Sequence, residues 1–129
     1  MIVVDSSVWI DAHRHEVFAT LFSPDGREIA PPTALKPDAT LDAWAPALAS
    51  LGHVRFAGDG AIRYRDAIAE RLGGSAIVDT TVPPLAGAIG LIASADDARD
   101  VRPHAIAPLY VRRSDAELAR DRRQATDTP

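Results

Sequence analysis

The acidic side chains are the first residues in this sequence that could carry chemistry. Asp5 follows an apolar stretch at the start of the chain and is a candidate ligand for a divalent metal ion. A nuclease that cleaves a phosphodiester with two metal ions needs about four acidic ligands. In the favoured alternative Asp5 ends a strand, and Asp96, Asp97 and Asp100 form the solvated end of a helix. The further ligands would have to come from Glu16, Asp79, Asp96, Asp97 and Asp100.

A second polar group is the run His-Arg-His-Glu at residues 13–16. On an extended strand His13 and His15 would point to the same side, as two metal ligands must. Two histidines without a third nearby ligand make an incomplete zinc site. The turn of a surface hairpin is therefore the favoured interpretation.

Glycines surround an acidic residue at Gly58-Asp59-Gly60, directly before a predicted helix. Backbone amides at a helix start can bind an anion. The segment lacks the lysine and the spacing of a phosphate-binding loop, so a turn with Asp59 as the helix N-cap is favoured.

Basic residues gather near the end of the chain, where they alternate with Asp115, Glu117 and Asp121. This alternation is typical of a solvated helix, and contact with RNA or an acidic partner is the second interpretation. Ser6 and Ser7 belong to no motif with a His–Asp pair, so hydrolase chemistry has no support. The basic residues are Arg112, Arg113, Arg120, Arg122 and Arg123.

The elements that position these residues follow from the apolar pattern. Met1 to Ile10 predicts a buried strand, and Glu16 to Phe22 a second strand that pairs with it antiparallel. Ser-Pro-Asp-Gly at residues 23–26 predicts a turn. A short third strand follows and is expected to break at Pro31-Pro32, before an edge strand at residues 33–35.

Helices then alternate with short strands, which predicts an α/β or α+β fold. Asp38 or Thr40 is expected to cap the first helix. A late apolar helix from Leu85 to about Ala98 is expected to bury Leu85, Ala88, Ile89 and Ile92, with Gly87 and Gly90 allowing close packing. The remaining predictions are strands at 53–57 and 76–78, a helix at 61–72 with Ile62, Ala69 and Leu72 inward, and an extended segment at 107–111.

Composition bounds the class of protein. The chain has 129 residues, no cysteine and a formal net charge of −4, which argues against direct phosphate binding as the main activity. No apolar run approaches the roughly 20 residues of a membrane span, and the start lacks a signal-peptide pattern. A cytoplasmic domain without a membrane contact is expected.

Four stretches resemble the TsaB family, in the same order as in the family. They cover about residues 9–123, and His15 stands where the family has glycine. The stretches are Trp9–Ala19, Ala57–Ala61 with Tyr64, Pro84–Ala93, and Pro108–Arg113 with Asp115–Leu118.

The resemblance implies a single ribonuclease-H-like, actin-like lobe over residues 1–113, with antiparallel strands first and a charged, partly disordered tail over 114–129. It implies a non-catalytic subunit, or a truncated homologue, in tRNA threonylcarbamoyladenosine synthesis that needs no cofactor. The expected partner is a TsaD-like catalytic subunit or a second copy, with tRNA reached only through the complex. The N-terminal lobe of the family is expected to be missing.

The first ten residues allow a second family. Met1 to Ser7 is similar to the first strand of TsaB, which ends in Asp-Thr-Ser, but Met1 to Asp11 also resembles the opening of PIN-domain toxins. Those small endoribonucleases bind a catalytic metal ion through their first aspartate, which would be Asp5. A metal-dependent PIN endoribonuclease is therefore the alternative function.

Overall fold

The apolar residues of the first third of the chain form three antiparallel strands. In the computed structural model these are β1 (Asp5–Asp11), β2 (Val17–Phe22) and β3 (Glu28–Leu35). β1 pairs with β2 and β2 with β3, which confirms the predicted pairing of the first two strands. The structure describes residues 5–95, 101–112, 114, 116–117, 119–120 and 123, so the predicted strand residues 1–4 lie outside it.

Pro31 and Pro32 do not break the third strand, so that prediction was wrong. Between Ala30 and Thr33, three steps along β3 oppose two steps along β2, which is a β-bulge at the prolines. β3 is also an edge strand of the sheet. Edge strands and bulges are the positions where a sheet tolerates the missing N–H of proline.

Two further strands extend the sheet on the other side of β1. They are β4 (Val54–Ala57) and β5 (Ala76–Val78), and both run parallel to β1. The strand order is β3-β2-β1-β4-β5. The predicted α/β class is thus confirmed, with antiparallel strands first and helices alternating with strands afterwards. The α-helices are α1 (Pro37–Leu48), α2 (Asp59–Arg63), α3 (Arg65–Leu72) and α4 (Leu85–Ser94).

The hydrophobic core lies between one face of the sheet and the helices α1 and α3. Trp9 of β1 is fully buried at its centre. Its ring meets the rings of Trp44 and Phe56 edge to face, with centroids 6.1 and 5.6 Å apart. Leu41 of α1 and Ile68 of α3 complete this layer. The core therefore holds one side of the sheet to two helices.

The first two helices differ in detail from the sequence prediction. Lys36 occupies the N-cap position of α1, without a side-chain cap, and Pro37 begins the helix. Proline suits this position because the first N–H of a helix has no partner. Thr40 is buried and its hydroxyl donates to the carbonyl of Lys36, so neither Asp38 nor Thr40 is the cap.

The predicted helix over 61–72 is divided at Tyr64 into α2 and α3. Ala61 and Ile68 are its buried residues, whereas Ala69 is exposed. Because the two helices do not continue each other at Tyr64, the spacing of one continuous helix does not predict which residues of α3 face the core. Ile62 and Leu72 are half-buried, which agrees in part with the prediction.

The end of the chain forms no further strand in its described part. Residues 107–111, predicted as an extended segment, have no regular secondary structure. Ser114 and Glu117 exchange hydrogen bonds between side chain and backbone, as in a helix capping box. The described residues 116–117, 119–120 and 123 are helical, and the tail at 125–129 lies outside the described residues.

Candidate interaction surface

The acidic residues singled out in the sequence are spread across the molecule. Asp5 and Asp11 occupy opposite ends of β1, six residue steps or about 20 Å apart. Glu16 lies near the Asp11 end, and the carboxylate of Asp79 binds Arg55 Nε at 2.8 Å. Across the described residues, no three His, Asp or Glu side chains gather as a metal site. Asp96, Asp97 and Asp100 lie outside the described residues.

Residues 12–16 form the predicted hairpin turn, but not with His13 and His15 on a strand. His13, Arg14 and His15 all have left-handed backbone conformations, with φ of 59°, 54° and 61°. The N–H of Glu16 donates to the carbonyl of His13 at 2.9 Å and closes the turn. A left-handed residue with a side chain costs about 1–2 kcal/mol, so this turn is strained.

Gly58 and Gly60 are explained by packing against β1. A Cβ atom on Gly58 would lie 2.1 Å from the carbonyl oxygen of Trp9, and one on Gly60 2.9 Å from the backbone of Ile10. The Asp59 carboxylate accepts hydrogen bonds from the backbone N–H groups of Asp11, at 3.0 Å, and Gly60, at 2.8 Å. Gly58 holds the N-cap position, and α2 has only five residues. The motif therefore joins two backbones, and anion binding has no support here.

Arg112, from the predicted basic cluster, ties the C-terminal segment to the β1–β2 hairpin. Its guanidinium donates to the carbonyl of Ala12 at 3.1 Å and to Glu16 Oε2 at 3.0 Å. The same group lies 5.7 Å from the ring centroid of Phe18. Its role is thus a structural one, which the sequence did not indicate. Arg120 and Arg123 are exposed, and Arg113 and Arg122 lie outside the described residues.

The sequence pattern did not predict that the second face of the sheet is exposed. Val8 and Ile10 of β1 are 37% and 46% exposed, although they belong to a central strand. Direct partners in the ladders share a face, so Phe18 on β2 and Ala57 on β4 lie beside them. Both are half-buried, and the Arg112 guanidinium covers part of the Phe18 ring. Ile77 of β5 extends the apolar surface and is 45% exposed. These five residues define the open face.

The apolar helix α4 was expected to belong to the core, and this prediction was wrong. Leu85, Ile89, Leu91 and Ile92 are between 50% and 74% exposed, and no residue of α4 is buried. The glycines that were expected to allow close packing have open space around them, with nothing within 4 Å of an added Cβ. The spacing of the apolar residues correctly predicts a helix, but the helix is buried only where another surface covers it.

The beginning of α4 lies next to the open face. Leu85 and Val82 line a groove of about 610 Å³ together with Val8 and Ile10. Arg55 and Asp79 form an ion pair on the same groove, and this pair raises the pKa of the Arg55 guanidinium above its usual value. The groove is otherwise mainly apolar. In the described part of the chain no helix is long and apolar enough to cross a membrane.

An apolar face of this kind is suited to binding another protein. Contiguous exposed apolar surface is uncommon on monomeric proteins and marks interaction sites. Full burial of a Leu, Ile or Val side chain contributes about 1.5–3 kcal/mol. Val8, Ile10 and Ile77 are less than half exposed, so a partner that covers the open face gains only part of this amount at each of them. Neither the known protein families nor the curated proteins provide a match for this chain.

Proposed function

We propose that this chain is a non-catalytic interaction subunit of the machinery that makes threonylcarbamoyladenosine in tRNA, and that it binds a TsaD-like catalytic subunit. The observation that carries the proposal is the open face around Val8 and Ile10, an exposed apolar surface on a central strand of the sheet. The four stretches similar to TsaB supply the identity of the partner.

The order of elements supports a ribonuclease-H-like lobe. Such a lobe is expected to begin with antiparallel strands and to continue with alternating helices and strands. β1, β2 and β3 are antiparallel, and β4 and β5 are added in parallel after helices. The two glycines of the second TsaB-like stretch, Gly58 and Gly60, sit where the backbone of α2 touches β1.

The alternative, a PIN endoribonuclease, has less support. A PIN fold would favour a helix directly after the first strand, whereas residues 17–22 are a strand. Asp5 and Glu16 lie toward opposite ends of the β1–β2 hairpin, too far apart to share a metal ion whose ligands lie within about 2.6 Å. The separation of these two candidates argues against a metal site that they would share.

Binding to a purified TsaD-like subunit tests the proposal, with calorimetry as the readout. The parent chain is expected to bind, and Ile10→Asp is expected to abolish binding by placing a charge on the open face. Ala69→Asp is the matched control, because Ala69 is exposed on α3, on the opposite side of the sheet. A parent chain that does not bind, or equal binding by both variants, would contradict the proposal.

Nuclease activity is tested separately with structured RNA and Mn²⁺. We expect no cleavage by the parent chain beyond that of an Asp5→Asn variant prepared in the same way. Cleavage by the parent that disappears in the variant would favour the PIN alternative.

A further inference from the structure

The helix α4 is apolar on every side, yet it is exposed. Residues 85–94 have the sequence Leu-Ala-Gly-Ala-Ile-Gly-Leu-Ile-Ala-Ser, without a charge. A helix that is hydrophobic all round is normally buried. Ten residues with two glycines are also too few for a stable isolated helix in water, where about 12–15 residues are marginal. The helix therefore needs a surface to pack on.

The open face is a surface of matching size and character. A ten-residue helix is about 15 Å long, and the seven residues of β1 span about 23 Å, so the helix fits along the strand. Both surfaces are mainly apolar, and the charges that line the adjoining groove already have partners: Arg55 pairs with Asp79, and Asp59 accepts hydrogen bonds from the backbone of Asp11 and Gly60. An uncharged helix is thus the complementary occupant.

α4 begins beside its own sheet but does not pack along it, because Leu85 lines the groove whereas Leu91 and Ile92 are 74% and 57% exposed. Asp79 is fixed after β5 by the carbonyl of Phe56, at 2.9 Å, and by Arg55. Pro83 and Pro84 follow four residues later, and Pro84 is extended, with φ of −65° and ψ of 110°. Two successive prolines restrict the backbone of this linker, and a short hinge loop is a setting in which an element exchanges between copies.

We infer that two copies of this chain exchange α4, so that the helix of each copy packs on the open face of the other. The arrangement has twofold symmetry, in which each copy offers the same two surfaces. Each copy contributes the ten residues of α4 and a similar number from the open face and its margins. The sum is close to the roughly 20–30 residues per side of a stable interface.

This inference concerns the chain alone and holds whether or not a TsaD-like subunit is its partner. It adds an occupant for the open face that competes with any other protein on that surface. Its experiments use only the purified chain, so their failure is distinct from a failure to bind a TsaD-like subunit.

Light scattering across a concentration series gives the first test. The parent is expected to be a dimer, and Ile89→Asp is expected to be a monomer, because the charge would enter the apolar contact. Ala69→Asp is expected to remain a dimer. A monomeric parent, or a dimer that both variants retain, would overturn the inference.

Crosslinking locates the contact. Because the chain has no cysteine, the reagent can react only with the cysteines that are introduced. A double variant with Ile10→Cys and Ile89→Cys is treated with a short bismaleimide reagent. A crosslinked dimer on a denaturing gel is expected. A crosslink within one chain would mean that α4 folds back on its own sheet, and no crosslink would mean that α4 and the face never meet. Either result overturns the exchange. Ile10→Cys with Ala69→Cys is the control that should give no product.

Discussion

Ile10 on β1 and Phe18 on β2 lie opposite each other in the antiparallel ladder, both on the open face. The adjacent pair, Trp9 and Ala19, points to the other side and is buried. Neighbouring residues of one strand thus have opposite environments, because side chains alternate across a sheet. The core needs one set of these residues, and the other set remains for a partner.

Adjacent alanine substitutions on β1 should therefore differ strongly. Trp9→Ala is expected to lower the free energy of unfolding by about 3–5 kcal/mol, because it empties the centre of the core. Ile10→Ala is expected to change it by less than about 1 kcal/mol, since its side chain is half-exposed. Urea unfolding of dilute protein measures both. Similar losses for the two variants would show that the sheet has two covered faces.

A methyl group at Gly58 should be poorly tolerated. Gly58→Ala would place Cβ 2.1 Å from the Trp9 carbonyl oxygen in a left-handed backbone with φ of 107°. Overpacking and strain together are expected to cost at least about 2 kcal/mol. Gly74→Ala is the matched control, because nothing lies within 4 Å of its added Cβ. Thermal unfolding should separate the two, and equal midpoints would refute the close contact with β1.

The local sequence pattern predicted much of this fold, because strands and turns depend largely on residues that are close together in the sequence. Val8 and Ile10 stand in a β-branched run that predicts a strand, and the Pro24–Gly26 turn ends the second strand as expected. The bulge at Pro31 depends on the neighbouring strand, which sequence periodicity does not include.

Burial was harder to predict than secondary structure. Ile89 has the spacing of a core residue, yet it is 62% exposed, because periodicity describes a helix and not its neighbour. Arg112 looked like part of a solvated basic cluster, whereas it binds Glu16 across 96 positions of sequence. Contacts of this range leave no local signal in a single sequence.

The strained turn predicts a stabilising substitution. His15 has φ of 61°, a conformation that glycine adopts without steric cost. His15→Gly is expected to raise the free energy of unfolding by up to about 1 kcal/mol. His53→Gly, outside the left-handed region, is the control and is expected to lower it. A His15→Gly variant that loses as much stability as the control would contradict the left-handed turn.

The turn after β2 predicts a dependence on acid. The hydroxyl of Ser23 and the backbone N–H of Arg27 donate to Asp25, and these hydrogen bonds lower the pKa of its carboxyl below 3.8. Folding therefore favours the charged form, so this contribution is present above about pH 3.8 and is lost as the pH falls through the lower, folded pKa.

Comparing the parent with Ser23→Ala between about pH 6 and pH 2 measures this contribution. The difference in unfolding midpoint is expected to shrink on acidification, because the variant lacks the main donor to Asp25. A difference that grows toward low pH would have the wrong sign for a lowered pKa.

Reconstituted tRNA modification tests whether this chain acts as a subunit of the tRNA-modifying complex. A purified TsaD-like subunit, its ATPase partner and tRNA are incubated with the threonylcarbamoyl donor, with and without this chain. We predict that the chain alone modifies no tRNA, that it increases modification by the other subunits, and that Ile10→Asp loses the increase while Ala69→Asp keeps it. No increase with the parent chain, or the same increase with Ile10→Asp, would contradict the account.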